Sequence, residues 1–547
     1  MKRSKVLALL SILVLAFWLR LWIDGSAIPG RTFLRNDEGH YLDLARSFLN
    51  GQLGVHYFIN PTLYGYLLAA TTAAFGALRR VLGLESGFDV FVARETMAPC
   101  AILLAGRCLS IAASALSVLV VARIGRKLFS PEVGLLAGLA LALDGLAQSR
   151  APLCGNESLM LLLGLAAIDS LLGGTGGEPS CRRRFFAGVL LGLATATKYS
   201  AGILAIPFAI ALGRRVPLAV LGAATGFFAG CPMALLNFDD FMNDFLRQAG
   251  FLHAGYRETD VLDREVGFLY YLRTFDFTHH GLVFAIVCAA GILGSIACAV
   301  HRSAANHRIL LSSSLPLYLF LGTGIFHHER FLLPSVPFIL LHGAWMIEHL
   351  ARRASALLQA RPWAATSIAC AALLVSSLPT VIDHQRTLER WYGSPDVQSE
   401  LFEKVRGHLS PDDRVIELAI RPAENLLIED DVRRILGWTS PPTAAWAEAS
   451  RQLRDELRLL PGSTALRPRL KEMSGLQDVV KLIADHRATA FVLQVHSPLR
   501  PTLESKLRVH EFGDELIDWL LSLRRRAVYT SSDGSMVAAV LDLKAVN

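Results

Sequence analysis

The sequence predicts a polytopic α-helical membrane protein followed by a small extracytoplasmic α/β domain. Three observations carry that prediction. Hydrophobic residues make up 52% of the 547 residues and charged residues only 18%, against about 25% charged in an ordinary soluble domain. The mean hydropathy is +0.41. The apolar residues gather in runs that approach the ~20 residues a helix needs to cross hydrocarbon. Those runs stop near residue 382, and a mixture of polar helical and strand-like stretches follows.

Net charge is +7, and the sequence pI is near 9.0. Lys and Arg, however, fall in short clusters between apolar runs, which is the pattern of cytoplasmic loops. Nucleic acid is therefore not an expected partner; membrane lipids are. Eight Cys are scattered from Cys100 to Cys370 with no CxxC spacing, so neither a zinc site nor a disulfide framework is indicated. The start, MKRSKVLALLSILVLAFWLRLWIDG, has the basic-then-apolar order of a signal peptide. Its apolar run is long, carries Arg20 and lacks a small-x-small cleavage site, so it reads as an uncleaved first span.

Candidate runs are 6–24, 61–78, 100–122, 133–149, 158–173, 185–197, 199–212, 216–234, 281–300, 309–326, 331–350 and 363–381. Basic clusters fall at Lys2/Arg3/Lys5, Arg123/Arg126/Lys127, Arg182/Arg183/Arg184, Arg214/Arg215, His301/Arg302/Arg308 and Arg352/Arg353/Arg361. The positive-inside rule places all of them in the cytoplasm. Lys5 and Arg123 must then be separated by an even number of crossings, so one of the runs between them does not cross. PTLYGYLLAATTAAFGALRR, residues 61–80, opens with Pro, is rich in Ala, Thr and Gly, and ends in Arg79/Arg80. It reads as a helix lying in the outer interface. The two short runs 185–197 and 199–212 read as helices meeting near Lys198 on the outer side. About eleven spans result, with the amino end inside and the carboxyl end outside.

This arrangement sends residues 25–99, 150–157, 235–280, 327–330 and everything after 382 to the outside. Asp37 and Glu38 thus share a side with Arg150, Glu157, Asp239, Asp240, His327, His328, Glu329 and Arg330, each beside the end of a span. Within the spans, Asp144 is expected to pair with Arg150 or another polar neighbour, because an unpaired acid there is costly. Asp169 has no account beyond its nearness to the inner border. From residue 382 onward roughly 165 residues, enough for one core, combine the polar helical stretch AAWAEASRQLRDELRLL with strand-like DRVIELAI, TAFVLQVH and SMVAAVLDL. The expected domains are 1–381 in the membrane and 382–547 outside it.

A carboxylate at a membrane surface, ionised at neutral pH because its pKa is ~4, can take a proton from a hydroxyl. Arg and Lys can hold a phosphate. Acid and phosphate clamp together at the lipid boundary suit transfer of a sugar from a lipid-linked phosphate to an acceptor hydroxyl.

RNDEGHYLDLARSFLNG and NPTLYGYLLA, followed by SRAPLCGNESL, ATKYSAG and HHERFLLPSVP, run in this order along residues 35–337. They resemble glycosyltransferase family 39, which includes the dolichyl-phosphate-mannose–protein mannosyltransferases and the lipid-A aminoarabinose transferases. The resemblance covers roughly residues 1–380. It implies a GT-C fold, a polyprenyl-phosphate-linked sugar donor and inversion at the anomeric carbon. It implies Asp37 as base, Glu38 as its neighbour and Glu157 as the second-loop acid. Lys198 and Arg330 would contact the donor phosphate, and Tyr41, Arg107 and His328 would belong to the substrate site. The acceptor would be a glycan, lipid or protein hydroxyl. A divalent metal is compatible with these residues without being required by them. Asn60-Pro61-Thr62 departs from the family, standing where the aminoarabinose transferases have Lys-Pro-Pro and the protein mannosyltransferases His-Pro-Pro.

Plainer readings stand beside these. Asp37 and Glu38 could cap the helix LDLARSFL, Glu157 could serve the dipole of the following helix, and Lys198 could snorkel to water. A lipid-linked-sugar transporter or flippase would place ionisable groups near mid-membrane and show inverted repeats; here the groups sit at span ends on one side. An inactive scaffold of the same fold is the other alternative.

Overall fold

A computed structural model of the chain describes residues 3–21, 38–54, 58–97, 99–173, 179–254, 267–275, 281–301, 304–324 and 327–357, parts of 367–382, and short stretches beyond 404 that include four strands. The chain divides into two compact units. The larger takes in Met1–Ile23, Leu53–Leu68 and Ala105–Leu388, and the smaller Asp24–Gln52, Ala69–Leu104 and Glu389–Asn547.

The larger unit is helical. α1 (Arg3–Arg20) packs on α6 (Pro131–Leu143), which Ser130 caps and Pro131 starts. The last carbonyls of a helix have no partner within it. Here Arg20, fully buried, supplies one: its guanidinium donates to the carbonyl oxygens of Leu141 at 2.8 Å and Ala142 at 3.0 Å, and to Ser114 Oγ at 2.7 Å. The run 133–149, expected as one helix, breaks at Asp144. The Asp144 backbone is extended there, and its carboxylate accepts from Ala147 N at 2.8 Å, starting α7 (Gly145–Arg150). Side-chain capping of this kind competes with helix continuation.

α5 (Cys100–Leu128) belongs to this unit from Ala105 onward. α8 (Glu157–Leu171) and α9 (Cys181–Thr197) form an antiparallel hairpin. At one end of the hairpin, Asp169 pairs with Lys127 at 2.7 Å and Arg123 at 2.9 Å, and Arg183 Nε donates to Ser170 O at 2.6 Å. At the other end sit Glu157 and Lys198. Asp169 thus finds the partners that sequence reading did not assign to it.

A 3-10 turn (Tyr199–Leu204) follows Lys198 and continues as α10 (Ala205–Leu212). α9 also packs tightly on α11 (Pro217–Gly230) through glycines spaced by four. A side chain on Gly188 or Gly192 would strike the carbonyl of Ala219 or Ala223, and one on Gly222 or Gly226 that of Phe185 or Val189. Such spacing is how helices approach closely in lipid. After α12 (Met233–Leu236), α13 (Phe238–Ala254) and α14 (Gly267–Phe275) are amphipathic.

α15 (Leu282–His301), α16 (Ala305–Gly322) and α17 (Val336–Leu357) complete the unit. A buried polar chain ties these three together: Ser295 Oγ lies 2.8 Å from His342 Nδ1 and 3.1 Å from His307 Nδ1, and Ser314 Oγ lies 3.2 Å from His342 Nε2. Among the described residues, Cys100–Leu128 and Leu282–His301 are long and apolar enough to cross a membrane.

In the smaller unit, α2 (Glu38–Leu49) and α4 (Phe88–Met97) lie with the later part of α3 (Leu63–Val81) and the first turn of α5. Phe91, Val92 and Ala101 form a small core with Leu49 and Phe88. The Glu95 carboxylate accepts from Ala101 N at 2.7 Å and Ile102 N at 3.1 Å, capping α5. Burial, only partly opposed by Arg94 and these hydrogen bonds, pushes its pKa up to about 7. Glu85 pairs with both Arg79 at 3.1 Å and Arg94 at 3.3 Å. A four-stranded sheet has the order β1 (Val415–Ile420), β2 (Ala490–His496), β4 (Met536–Asp542), β3 (Arg525–Thr530). β1 and β2 run parallel; the other pairs are antiparallel. β1, β2 and β4 lie on the strand-like runs seen in the sequence, whereas β3, an Arg-rich segment, gave no such signal. The stretch AAWAEASRQLRDELRLL lies outside the described residues.

Candidate functional site

In the larger unit, the start of α8 is fastened to the end of α9. Asn156 precedes α8, and its Nδ2 donates to Thr197 O at 2.8 Å. This fastening sets Glu157, in the first turn of α8, against Lys198, the residue after α9; their ion pair spans 2.8 Å. Both side chains are largely buried, at 10% and 17% exposure. Burial alone would raise the Glu157 pKa, but the charge and hydrogen bond of Lys198 and the charge of Arg150 outweigh it and hold the carboxyl below its ordinary value. The pair is thus a compensated one, the condition under which a buried charge is tolerated.

Beside it runs the segment 327–332. Arg150, at the end of α7, reaches Glu329 at 3.4 Å. Tyr271 of α14 holds the backbone of His328 twice, donating through its hydroxyl to the carbonyl and accepting from the amide, each at 3.3 Å. His327 stacks on Tyr270, with ring centres 5.1 Å apart. His328 Nδ1 accepts from Arg330 N at 3.3 Å, which leaves the proton of the neutral ring on Nε2. Burial first, then the positive charge of Arg150, lowers the His328 pKa to about 4, with Glu329 opposing. His328 is therefore neutral at physiological pH. Arg330 is mostly buried, its pKa lowered by that burial, and lies 5.7 Å from the Phe331 ring centre.

An apolar cavity of about 230 Å³ opens next to this cluster. Leu317, Phe320 and Leu321 of α16, together with Ile203 and Phe331, form its greasy wall, and Asn60, Ser200 and Gln248 supply polar groups. Among the described residues lining it, Lys198 alone carries a charge. The Asn60-Pro61 edge is strapped in place from both sides. Tyr199 Oη donates to Phe58 O at 2.6 Å, and Phe58 N donates to Asp244 Oδ2 of α13 at 2.6 Å. Thr62 Oγ1 donates to Gly230 O at 3.1 Å. The arrangement suits an amphiphile with an anionic head: the head would meet Lys198 and the tail would lie along α16.

The structure brings together Arg150, Glu157, Lys198, His328, Glu329 and Arg330 of the residues singled out in the sequence, and adds Tyr199, Asp244 and Tyr271. Arg107 is buried on α5 in the same unit, while Glu38 and Tyr41 are buried on α2 of the smaller unit. Asp37 lies outside the described residues. Asp144 caps α7 as described, and it is Glu329 that Arg150 pairs with. Among the described residues no group of three or more His, Cys, Asp or Glu side chains is placed to hold a metal ion. Asp244 and Gln248 escaped sequence reading because the stripe Phe238-Phe241-Phe245 dominates α13, and only a pairing with a distant backbone amide distinguishes Asp244 from Asp239 and Asp240.

Residues 102–232, which contain Arg107, Glu157 and Lys198, match the family model described as dolichyl-phosphate-mannose-protein mannosyltransferase. No curated protein matches the chain. Among solved structures it is similar to ArnT from Cupriavidus metallidurans bound to undecaprenyl phosphate, with a TM-score of 0.55, 11% identity and coverage of 99% of this chain and 98% of that one. It is also similar to the archaeal oligosaccharyltransferase AglB from Archaeoglobus fulgidus in complex with an inhibitory peptide and a dolichol-phosphate, with a TM-score of 0.53, 12% identity and coverage of 98% and 74%. At these identities the likeness is one of fold. The fold is the GT-C fold of these two structures, and the family model supports the resemblance read from the sequence motifs over residues 102–232.

Proposed function

We propose that this chain, a GT-C membrane protein with a mannosyltransferase-like central stretch, transfers a sugar from a polyprenyl-phosphate donor to an acceptor hydroxyl on the extracytoplasmic face. The observation that carries the reading is the cavity of about 230 Å³, an apolar wall on which Lys198 is the one cation among the described lining residues, beside the charged cluster. The bound undecaprenyl phosphate and dolichol-phosphate of the two similar structures belong to the same chemical class of ligand.

In this reading Asp37 takes the proton of the acceptor hydroxyl, with Glu38 as its neighbour. The oxygen attacks the anomeric carbon, the bond to phosphate breaks, and the configuration inverts. Lys198 and Arg330 stabilise the charge that collects on the departing lipid phosphate, a preorganised electrostatic role. Glu157 holds Lys198 in position and stands as the second acid. His328, neutral, offers Nε2–H as a hydrogen-bond donor, and Tyr41 and Arg107 complete the substrate site. The chain after residue 382 is an extracytoplasmic domain that binds acceptor or braces the external loops, and the whole protein crosses the membrane about eleven times.

The test is a transfer assay on Asp37→Asn in membranes, with cell-envelope glycans and glycoproteins compared by mass spectrometry with and without the gene. Transfer should fall by at least ~100-fold, the range of a lost general base, with protein level unchanged. Full transfer by the variant removes Asp37 from its role, and an envelope that does not change with the gene removes the reaction.

A further inference from the structure

The guanidinium of Arg150 is held by half of one edge. Nε–H and the adjacent N–H of Nη2 point the same way, a fork that matches two oxygens of a single carboxylate or phosphate. Glu329 Oε1 meets only Nη2, at 3.4 Å, longer than the roughly 2.7–2.9 Å of a good charge-assisted bond. The other tine, Nε, is buried and has no hydrogen-bond partner. The second carboxylate of the cluster does not fill the fork either, because Glu157 pairs with Lys198 at 2.8 Å.

Arg150 ends α7, which packs on both the start of α8 and the turn Glu329–Leu332. The charges of Arg150 and Lys198 both act on Glu157, and both act on the ring of His328. Two cations that bear on the same carboxylate and the same imidazole stand around one spot. Lys198 lines the apolar cavity, and Arg150 stands outside its wall, in the charged cluster. A lipid whose tail fills the cavity and whose phosphate meets Lys198 carries its charged end towards Arg150. A buried N–H on a cation is completed best by an anion, and a phosphate supplies the two oxygens that the fork lacks.

We infer that Arg150 is a phosphate-binding residue of the donor site, for which Glu329 and the polyprenyl phosphate compete. With the donor present, the Nε–Nη2 edge closes on two phosphate oxygens and gives up Glu329. The fork adds a bidentate contact to the point charge of Lys198. Glu329 acts as a brake on affinity, at hand to take the guanidinium back and let the lipid phosphate leave after transfer. Arg150 plays this part only if the cavity holds the donor, so the assignment rests on the reading above.

The test is a titration of the full-length protein in detergent with undecaprenyl phosphate, with undecaprenol and inorganic phosphate as comparison ligands. Arg150→Gln should weaken binding of undecaprenyl phosphate about 10–100-fold, as expected for a lost charge-assisted contact. Arg150→Lys keeps the charge without the fork and should recover only part of the loss. Glu329→Gln should tighten binding about 2–5-fold, the scale of a part-exposed ion pair, and this gain should vanish in Arg150→Gln/Glu329→Gln. A merely structural pair would weaken binding in both single variants, and simple repulsion of phosphate by Glu329 would leave the gain intact in the double variant; either result overturns the assignment. Melting curves identify the folded variants; if Arg150→Gln is not folded, wild-type affinity in Arg150→Lys overturns it. Wild-type protein that binds undecaprenol as tightly as undecaprenyl phosphate, or inorganic phosphate as tightly as the lipid, overturns the donor reading and the role of Arg150 together. Full affinity in folded Arg150→Gln overturns the role of Arg150 alone.

Discussion

Lys198 sits one residue past the last turn of α9 with an extended backbone, φ −156° and ψ 128°. That position lets one ammonium serve both Glu157 and the cavity. Replacing it by Gln leaves Glu157 buried without its partner, a change that costs about 3–5 kcal/mol in buried pairs. Lys198→Gln should therefore lower the melting temperature, and Lys198→Gln/Glu157→Gln should recover most of the loss. Neither should recover binding of undecaprenyl phosphate, which is expected to weaken about 10–100-fold with loss of a charge-assisted contact. A calorimetric titration in detergent would measure it; undiminished affinity in the double variant would remove Lys198 from the donor site.

His328 gives the same cluster an acid limit. Its folded pKa of about 4 lies below the ordinary value of 6.5, so the unfolded chain takes up a proton that the native ring refuses. Stability therefore rises with pH across that interval and is lost as pH falls from about 6.5 towards 4. Melting temperatures measured over this interval should slope upward with pH in the wild type, and less steeply in His328→Gln. Identical slopes would mean that other groups set the acid limit.

At the level of elements, the glycine seam between α9 and α11 fixes where Lys198 ends up. Gly192→Leu forces a side chain into the Ala223 carbonyl, an overpacking expected to cost about 3 kcal/mol and to displace the end of α9. Gly202→Ala, whose new carbon would meet nothing closer than a Thr195 side-chain atom at 3.8 Å, is the control. Size-exclusion profiles and melting curves should separate the two; equal stability would show that the seam tolerates a wider spacing. Elements of this kind were only partly legible in the sequence. The end of α9 at Lys198 could be read from two short apolar runs with one Lys between them. The break at Asp144 could not, because apolar residues continue on both sides and only the hydrogen bond to Ala147 ends the helix. β3 stayed hidden because Arg525 and Arg526 mask a short Val-Tyr-Thr strand.

At the scale of the larger unit, charge clusters stand at the two ends of one helical hairpin. Asp169 with Arg123 and Lys127 occupies one end of the α8–α9 hairpin, and Glu157 with Lys198 the other. The positive-inside reading expects these two clusters on opposite sides of the membrane. What the sequence could not supply was the partner of each charge. The pairings Arg150–Glu329 and Phe58–Asp244 join residues 179 and 186 positions apart, and such long-range contacts leave no local periodicity. Cysteines placed at Asn36 and Glu329, with Cys108 and Cys181 changed to Ser, should react alike with an impermeant maleimide in intact cells. A cysteine at Arg214 should react only after permeabilisation. Opposite behaviour of the first two sites would dismantle the reading that both segments face the same side.

The guanidinium of Arg20 bears on the fate of the opening helix. It reaches the last carbonyls of a neighbouring helix, Pro131–Leu143, from a fully buried position. Asp144 N also donates to Leu141 O, and Gln148 Nε2 to Ala142 O, so Arg20→Leu would thin this set of bonds rather than empty it, and α1 should loosen from α6 while α6 keeps its end.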